Sequence, residues 1–151
     1  MKALVQRVHD AAVRVDGTMV GSIGRGILAL VGVGHDDDEA DASRLAERVI
    51  GLRIFEDDEG KMNHSLADLG AELLVVSQFT LMGDTRRGRR PSFGAAAEPT
   101  RAAELVEEMA SCAEKLGCSV SRGRFGAHMD IQIHADGPVT LALDTKEKRS
   151  G

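Results

Sequence analysis

Apolar and polar residues alternate from the start of the chain. Lys2–Val8 and Ala11–Val15 place apolar side chains at about every second position, the period of a half-buried β-strand. Asp16-Gly17 reads as a two-residue hairpin turn into a further strand over Met19–Ile23. Gly24-Arg25-Gly26 punctuates again, and Ile27–Val33 is almost continuously apolar, as expected of a strand covered on both faces. The pattern then changes. Asp36–Asp41 holds five acids in six positions, which suits a helix N-terminus because the macrodipole favours negative charge there; as a site it reads as no more than a solvated helix start. The helix should run to Val49 or Ile50 and bury Leu45, Val49 and Leu52.

Leu52–Phe55 is expected as a short strand and Asp57-Asp58-Glu59-Gly60 as a turn, since these acids lack the alternate spacing of an EF-hand. Leu73–Val76 reads as a buried strand ending in Ser77-Gln78-Phe79-Thr80-Leu81. A loop from Met82 to Glu98 follows, and Pro99-Thr100 opens a second helix, Arg101–Leu116, closed by Gly117. Met129, Ile131 and Ile133 alternate with polar neighbours, as do Val139, Leu141 and Leu143. Ala135-Asp136-Gly137-Pro138 between them reads as a turn, with a trans proline by default. One mixed α/β domain over residues 1–151 is the result, with more strands than helices, two main helices and a frayed tail from Lys146.

Composition narrows the classes. Of 151 residues, 42% are hydrophobic and 28% charged, enough for a globular core. The formal charge of −5 excludes a broad basic nucleic-acid face, and four Phe with no Trp or Tyr exclude base stacking as the main binding device. Cys112 and Cys118 make neither a zinc pattern nor a disulfide framework, which points to a reducing compartment. No stretch reaches the roughly 20 apolar residues of a membrane span, and the charged N-terminus does not resemble a signal peptide. A cytoplasmic protein with no membrane partner is expected.

Arg86, Arg87, Arg89 and Arg90 stand within the longest loop, and without them the formal charge would be −9. Guanidinium groups match phosphate oxygens bidentately, so this segment is a candidate RNA contact; otherwise it is a solvated loop or one paired with the Asp36–Asp41 acids. Ser77, Gln78 and Thr80 place two hydroxyls and an amide at the end of an apolar strand, where pockets commonly form, although such residues also merely satisfy backbone groups. None of the five histidines lies in a nucleophile-elbow context, so no triad is legible, and no spacing suits a metal.

Together, Ser77-Gln78-Phe79-Thr80-Leu81 and Gly137-Pro138-Val139-Thr140 resemble the two signature motifs of the D-aminoacyl-tRNA deacylases. Met1–Val8, Gly60-Lys61-Met62-Asn63, Gly83-Asp84 leading to Gly88–Phe93, Phe125-Gly126-Ala127 and Leu143-Asp144 agree, in order and over nearly the whole chain. The chain departs from the second motif at Ala135, where the family usually has Asn, which bears on local hydrogen bonding. The resemblance implies a single α/β domain of mostly antiparallel, barrel-like sheets in three layers, a homodimer, and no cofactor or metal. It implies a proofreading hydrolase that cleaves the ester of D-aminoacyl-tRNA, with glycyl-tRNA a further candidate and DNA not a partner. Gly137 and Pro138, in cis, would reach into the partner's pocket and present carbonyl oxygens that leave no room for an L side chain, with Arg7 supporting them. The backbone from Ser77 to Thr80 would bind the aminoacyl group, assisted by the tRNA 2′-hydroxyl, with Thr80 an alternative nucleophile. Two other readings stay open: a non-catalytic RNA-binding module built on Arg86–Arg90, and a hydroxyl-nucleophile esterase for another small ester.

Overall fold

A computed structural model of the chain describes residues 1–148. The first strand, β1 (Lys2–Val15), runs unbroken through both alternating segments and turns at Asp16-Gly17 into β2 (Thr18–Ile23). Both turn residues have positive φ, 49° and 79°, the conformation that a two-residue hairpin loop needs to match strand twist. β3 (Gly26–Gly32) returns antiparallel along the first half of β1. β6 (Glu72–Ser77) and β7 (Ser119–Arg122) then extend the sheet in parallel, and parallel neighbours require crossovers. Those crossovers carry α1 (Glu39–Gly51) and α3 (Pro99–Lys115), which pack on each other over one face. A small hairpin, β4 (Phe55–Glu56) and β5 (Met62–His64), and the four-residue α2 (Leu66–Leu69) lie within the first crossover.

The sheet order is β2-β1-β3-β6-β7, and the last strand, β8 (Asp130–Asp144), pairs with the other side of β1. The sheet curls until β7 meets β2. A Cβ on Gly21 would lie 2.3 Å from the Arg122 carbonyl oxygen, so only glycine permits that approach, and Ser121 Oγ donates to the Ser22 carbonyl at 3.0 Å. The result is a nearly closed barrel under a layer of helices, as expected for the fold class.

The continuous apolar runs are explained by burial on two sides. Leu73 and Val75 of β6 face the helices with Val5, Leu45, Phe55, Leu105 and Met109, while Leu74 and Val76 face the barrel interior with Val8, Val13 and Leu28. Each such side chain contributes about 1.5–3 kcal/mol by leaving water. No helix among the described residues is long and apolar enough to cross a membrane.

Several expectations are corrected. β8 is one strand of 15 residues, and Ala135–Pro138 is not a hairpin turn between two strands. Gly137-Pro138 is cis, against the trans default and in line with the family resemblance. The acids before α1 are not simply solvated. Asp38 and Asp41 form a reciprocal capping box, and Asp37 and Asp41 are buried. Asp37 accepts from the Met1 amine at 2.7 Å, and Asp41 pairs with Lys146 at 2.8 Å. Lys146, expected in a frayed tail, is therefore anchored, and the rest of that tail beyond Lys148 lies outside the described residues. α2 went unread although Ser65 and Asp68 give its capping-box spacing, and β7 is too polar to stand out.

Candidate active site

Ser77 ends β6 beside Val31, and the Gln78 amide donates to the Val31 carbonyl at 2.7 Å. The ladder then stops, and Phe79–Met82 form one 3-10 turn. The amides of Phe79 and Thr80 open that turn and have no backbone acceptor among the described residues. Gln78 Nε2 donates to Thr80 Oγ1 at 2.5 Å. No imidazole or carboxylate is hydrogen-bonded to the Thr80 hydroxyl among the described residues, so no side-chain base activates it in this structure.

Ser77, Gln78 and Phe79 form one wall of a cavity of about 520 Å³. Phe125, Gly126, Ala127 and His128 face them, while Val31, Val33, Ala102, Val106, Met129 and Ile131 make an apolar floor and sides. The chain's scarce aromatics gather here. Phe79 and Phe125 are exposed at the rim, and Phe93 packs edge-on against Phe79 with centroids 5.0 Å apart. The low aromatic count had argued against stacking, but it says nothing about where the few rings sit; three of the four lie at or beside this cavity.

Gly137 and Pro138 do not line the cavity of their own chain. They occupy a bulge in β8. Gln6 pairs with Thr140 and Val8 with Ala135, so the four residues 136–139 lie opposite Arg7 alone. Gly137 has φ 128°, and a Cβ there would stand 2.7 Å from the Val139 nitrogen. Arg7 is buried behind the bulge. Its Nη1 donates to the Ile54 carbonyl at 2.6 Å, and its Nη2 donates to Asp136 Oδ1 at 3.4 Å. Its Nε lies 3.1 Å from Asp136 Oδ2, but the N–H is not aimed at that oxygen, so this contact is ionic rather than a hydrogen bond.

The arginine loop springs from the 3-10 turn. Asp84 and Ser92 exchange both backbone hydrogen bonds and close its base, and Gly88 turns its tip with φ 75°. Arg86 is not free. Its Nε and Nη2 clasp the Asp84 carboxylate at 2.9 and 2.7 Å, which holds the Asp84 pKa down to about 2. Arg87, Arg89 and Arg90 are exposed, and no ion pair involves them among the described residues. Asp37, Asp38, Glu39 and Asp41 have other partners, and among the described residues no ion pair joins the Asp36–Asp41 acids to this loop. Asp84 and Asp136 escaped sequence reasoning. Asp84 lies two residues from Arg86, a local signal, whereas the Asp136–Arg7 pairing depends on β8 lying against β1.

Residues 4–144 match the model of a family described as D-Tyr-tRNA(Tyr) deacylase. A D-aminoacyl-tRNA deacylase of Thermomicrobium roseum is 57% identical over 151 residues, covering 100% of this chain and 98% of the relative. That of Bacillus velezensis is 51% identical over 97% of this chain and 100% of its own. Among solved structures, the c-Myc DNA unwinding element binding protein superposes with a TM-score of 0.89 at 36% identity, covering 95% of this chain and 98% of that one. A probable eukaryotic D-amino acid tRNA deacylase has the same fold, with a TM-score of 0.80 at 17% identity over 94% and 97% of the two chains.

Proposed function

The chain belongs to the D-Tyr-tRNA(Tyr) deacylase family, and we propose that its apolar cavity receives the end of a D-aminoacyl-tRNA, whose ester it hydrolyses. The observation that carries the site assignment is the meeting of the ladder-free end of β6 with that cavity. Two backbone donors at Phe79 and Thr80 open the turn at the exposed rim of that cavity, which Phe79 lines, and donors so placed can stabilise a tetrahedral oxyanion. Water attacks the ester carbonyl, the carbonyl electrons move onto the oxyanion, and collapse expels the ribose oxygen with the proton that the water gave up. The free D-amino acid and tRNA are released. Thr80 has a side-chain amide rather than a base beside it, which favours assistance by the tRNA 2′-hydroxyl over a Thr80 nucleophile. In this reading Ser77, Gln78, Phe79 and Thr80 surround the reacting centre, and Arg87, Arg89 and Arg90 hold phosphates.

Gly137 and Pro138 act in the cavity of a second copy, where their carbonyl oxygens exclude an L side chain. Two features support a homodimer: the bulge lies outside its own cavity, and among the described residues β8 pairs only with β1, leaving the outer edge of a 15-residue strand open with Ile133 and Leu141 exposed. The setting is the cytoplasm, where aminoacyl-tRNA is made. Deacylation of matched D- and L-tyrosyl-tRNA tests the reading: loss of the D ester alone is expected. Equal cleavage of both esters overturns it, as does RNA binding without turnover. The relative named for a DNA element adds a control, competition by duplex DNA, which should displace tRNA poorly.

A further inference from the structure

The bulge that carries Gly137 and Pro138 has no ladder to fix it. Residues 136–139 face a single residue of β1, and a second irregularity at His9 follows at once. Ala135, at the edge of the bulge, offers only a methyl group. Val139 packs its side chain on the core, and the polar tie between the bulge and the barrel is the Arg7–Asp136 pair. The Asp136 carboxylate faces the Arg7 guanidinium at 3.1 and 3.4 Å, and that guanidinium, 6% exposed, is itself anchored through Nη1 to the Ile54 carbonyl at 2.6 Å. Glu56 reaches Arg7 only at 4.0 Å and is solvent-exposed, so Asp136 is the near counter-charge of a buried cation. His9 approaches the same carboxylate at 3.6 Å, and His134 stacks beside His9 while bonded to Asp10.

We propose that Asp136 is a positioning residue for chirality selection: through Arg7 it fixes where the Gly137 carbonyl stands. This rests on the reading of Gly137-Pro138 as the wall that excludes L side chains. A wall built of backbone oxygens discriminates by distance. An L side chain is rejected only if those oxygens hold their place within a few tenths of an ångström. The buried Arg7 Nε–H has no aligned acceptor, so the clamp is ionic more than directional. The isosteric Asp136→Asn change therefore removes most of it while keeping the shape.

The experiment measures kcat and KM of the full-length protein for D- and L-tyrosyl-tRNA. In Asp136→Asn the D-over-L ratio of kcat/KM should fall by about tenfold or more, as for one lost charge-assisted hydrogen bond, chiefly because the L ester is now cleaved. A ratio within about twofold of wild type in the folded variant overturns the proposal, and so does an equal fall for both esters, which is a purely structural role. If Asp136→Asn does not fold, the ratio is read in the double variant Arg7→Met, Asp136→Leu, which replaces the buried pair by apolar groups and obeys the same criteria. Gly137→Ala separates the two levels. If it lowers the ratio and Asp136→Asn does not, only the positioning role fails. If neither moves it, the wall reading itself has failed.

Discussion

The arginine loop yields a number that depends on a structural detail. Four arginines stand in the sequence, but Asp84 clasps Arg86 with two hydrogen bonds, leaving Arg87, Arg89 and Arg90 for phosphate. Three guanidinium-phosphate contacts give a slope of log K against log salt of about −2.1 to −2.7, so affinity for tRNA should fall about 20- to 40-fold between roughly 50 and 200 mM salt. Removing the clasp should strengthen binding. In Asp84→Asn, Arg86 is released and the slope should steepen by about 1, whereas changing Arg87, Arg89 and Arg90 together to Ser should flatten it by about 2 or more. Fluorescence anisotropy with labelled tRNA over a salt series reads all three proteins, and circular dichroism checks that the loop variants stay folded. An Asp84→Asn slope no steeper than wild type would show that Arg86 already reaches phosphate despite its partner. A triple variant with the wild-type slope would refute the loop as an RNA contact.

The Thr80→Ala variant should keep substantial kcat on D-tyrosyl-tRNA, since Thr80 has only the Gln78 amide beside its hydroxyl; turnover lost by about a thousandfold or more in a folded variant would make it the nucleophile after all. Gly137→Ala places a side chain at φ 128° and a Cβ 2.7 Å from the Val139 nitrogen, a strain of about 1–3 kcal/mol, and its thermal midpoint should drop by about 2–12 °C; an unchanged midpoint would mean that the bulge yields freely. At Asp41, burial by itself would raise the pKa, but the hydrogen bonds from Lys146 and Thr145 outweigh it and hold it well below the usual carboxylate range. Asp84 and Glu39 are held near 2 by Arg86 and Arg101. Groups with lowered folded pKa values stabilise fully above about pH 4 and lose that contribution as pH falls towards 2, so the urea midpoint should be lower at pH 3 than at pH 6, and less pH-sensitive in Asp41→Asn. Equal wild-type midpoints at the two pH values would contradict this.

The legibility of the chain follows the range of the forces involved. α3 was readable because its signals are local: Pro99 at the first turn, apolar spacing through Leu105 and Met109, and Gly117 with φ 92° just past the end. The hairpin at Asp16-Gly17 was readable for the same reason. β7 was not, because Ser119–Arg122 alternates weakly and becomes a strand only by pairing with β6. The bulge failed differently. Asp136-Gly137-Pro138 has the composition of a turn, and the residues before and after it alternate, so its local pattern is that of a hairpin. What decides otherwise is β1, which continues along both halves and pairs with each, so β8 runs on instead of folding back.

The charge pattern makes sense in the same terms. Asp37 and Asp41 are consumed internally by the Met1 amine and Lys146, and Asp84 neutralises one arginine of its own loop. The pairs with Lys146 and Arg86 each take up one acid and one base, so the net acid excess stands, and what favours an RNA is the concentration of positive charge in one loop. Three uncommitted guanidiniums project from the loop that begins where the 3-10 turn ends, and Phe93, which closes the same loop, packs on Phe79 of that turn. The Phe79–Phe93 contact thereby ties the loop to the turn that carries the amides of Phe79 and Thr80. In the proposed reading this arrangement divides the labour: a phosphate grip common to all tRNAs would supply encounter, while discrimination would be left to the wall at the reacting end.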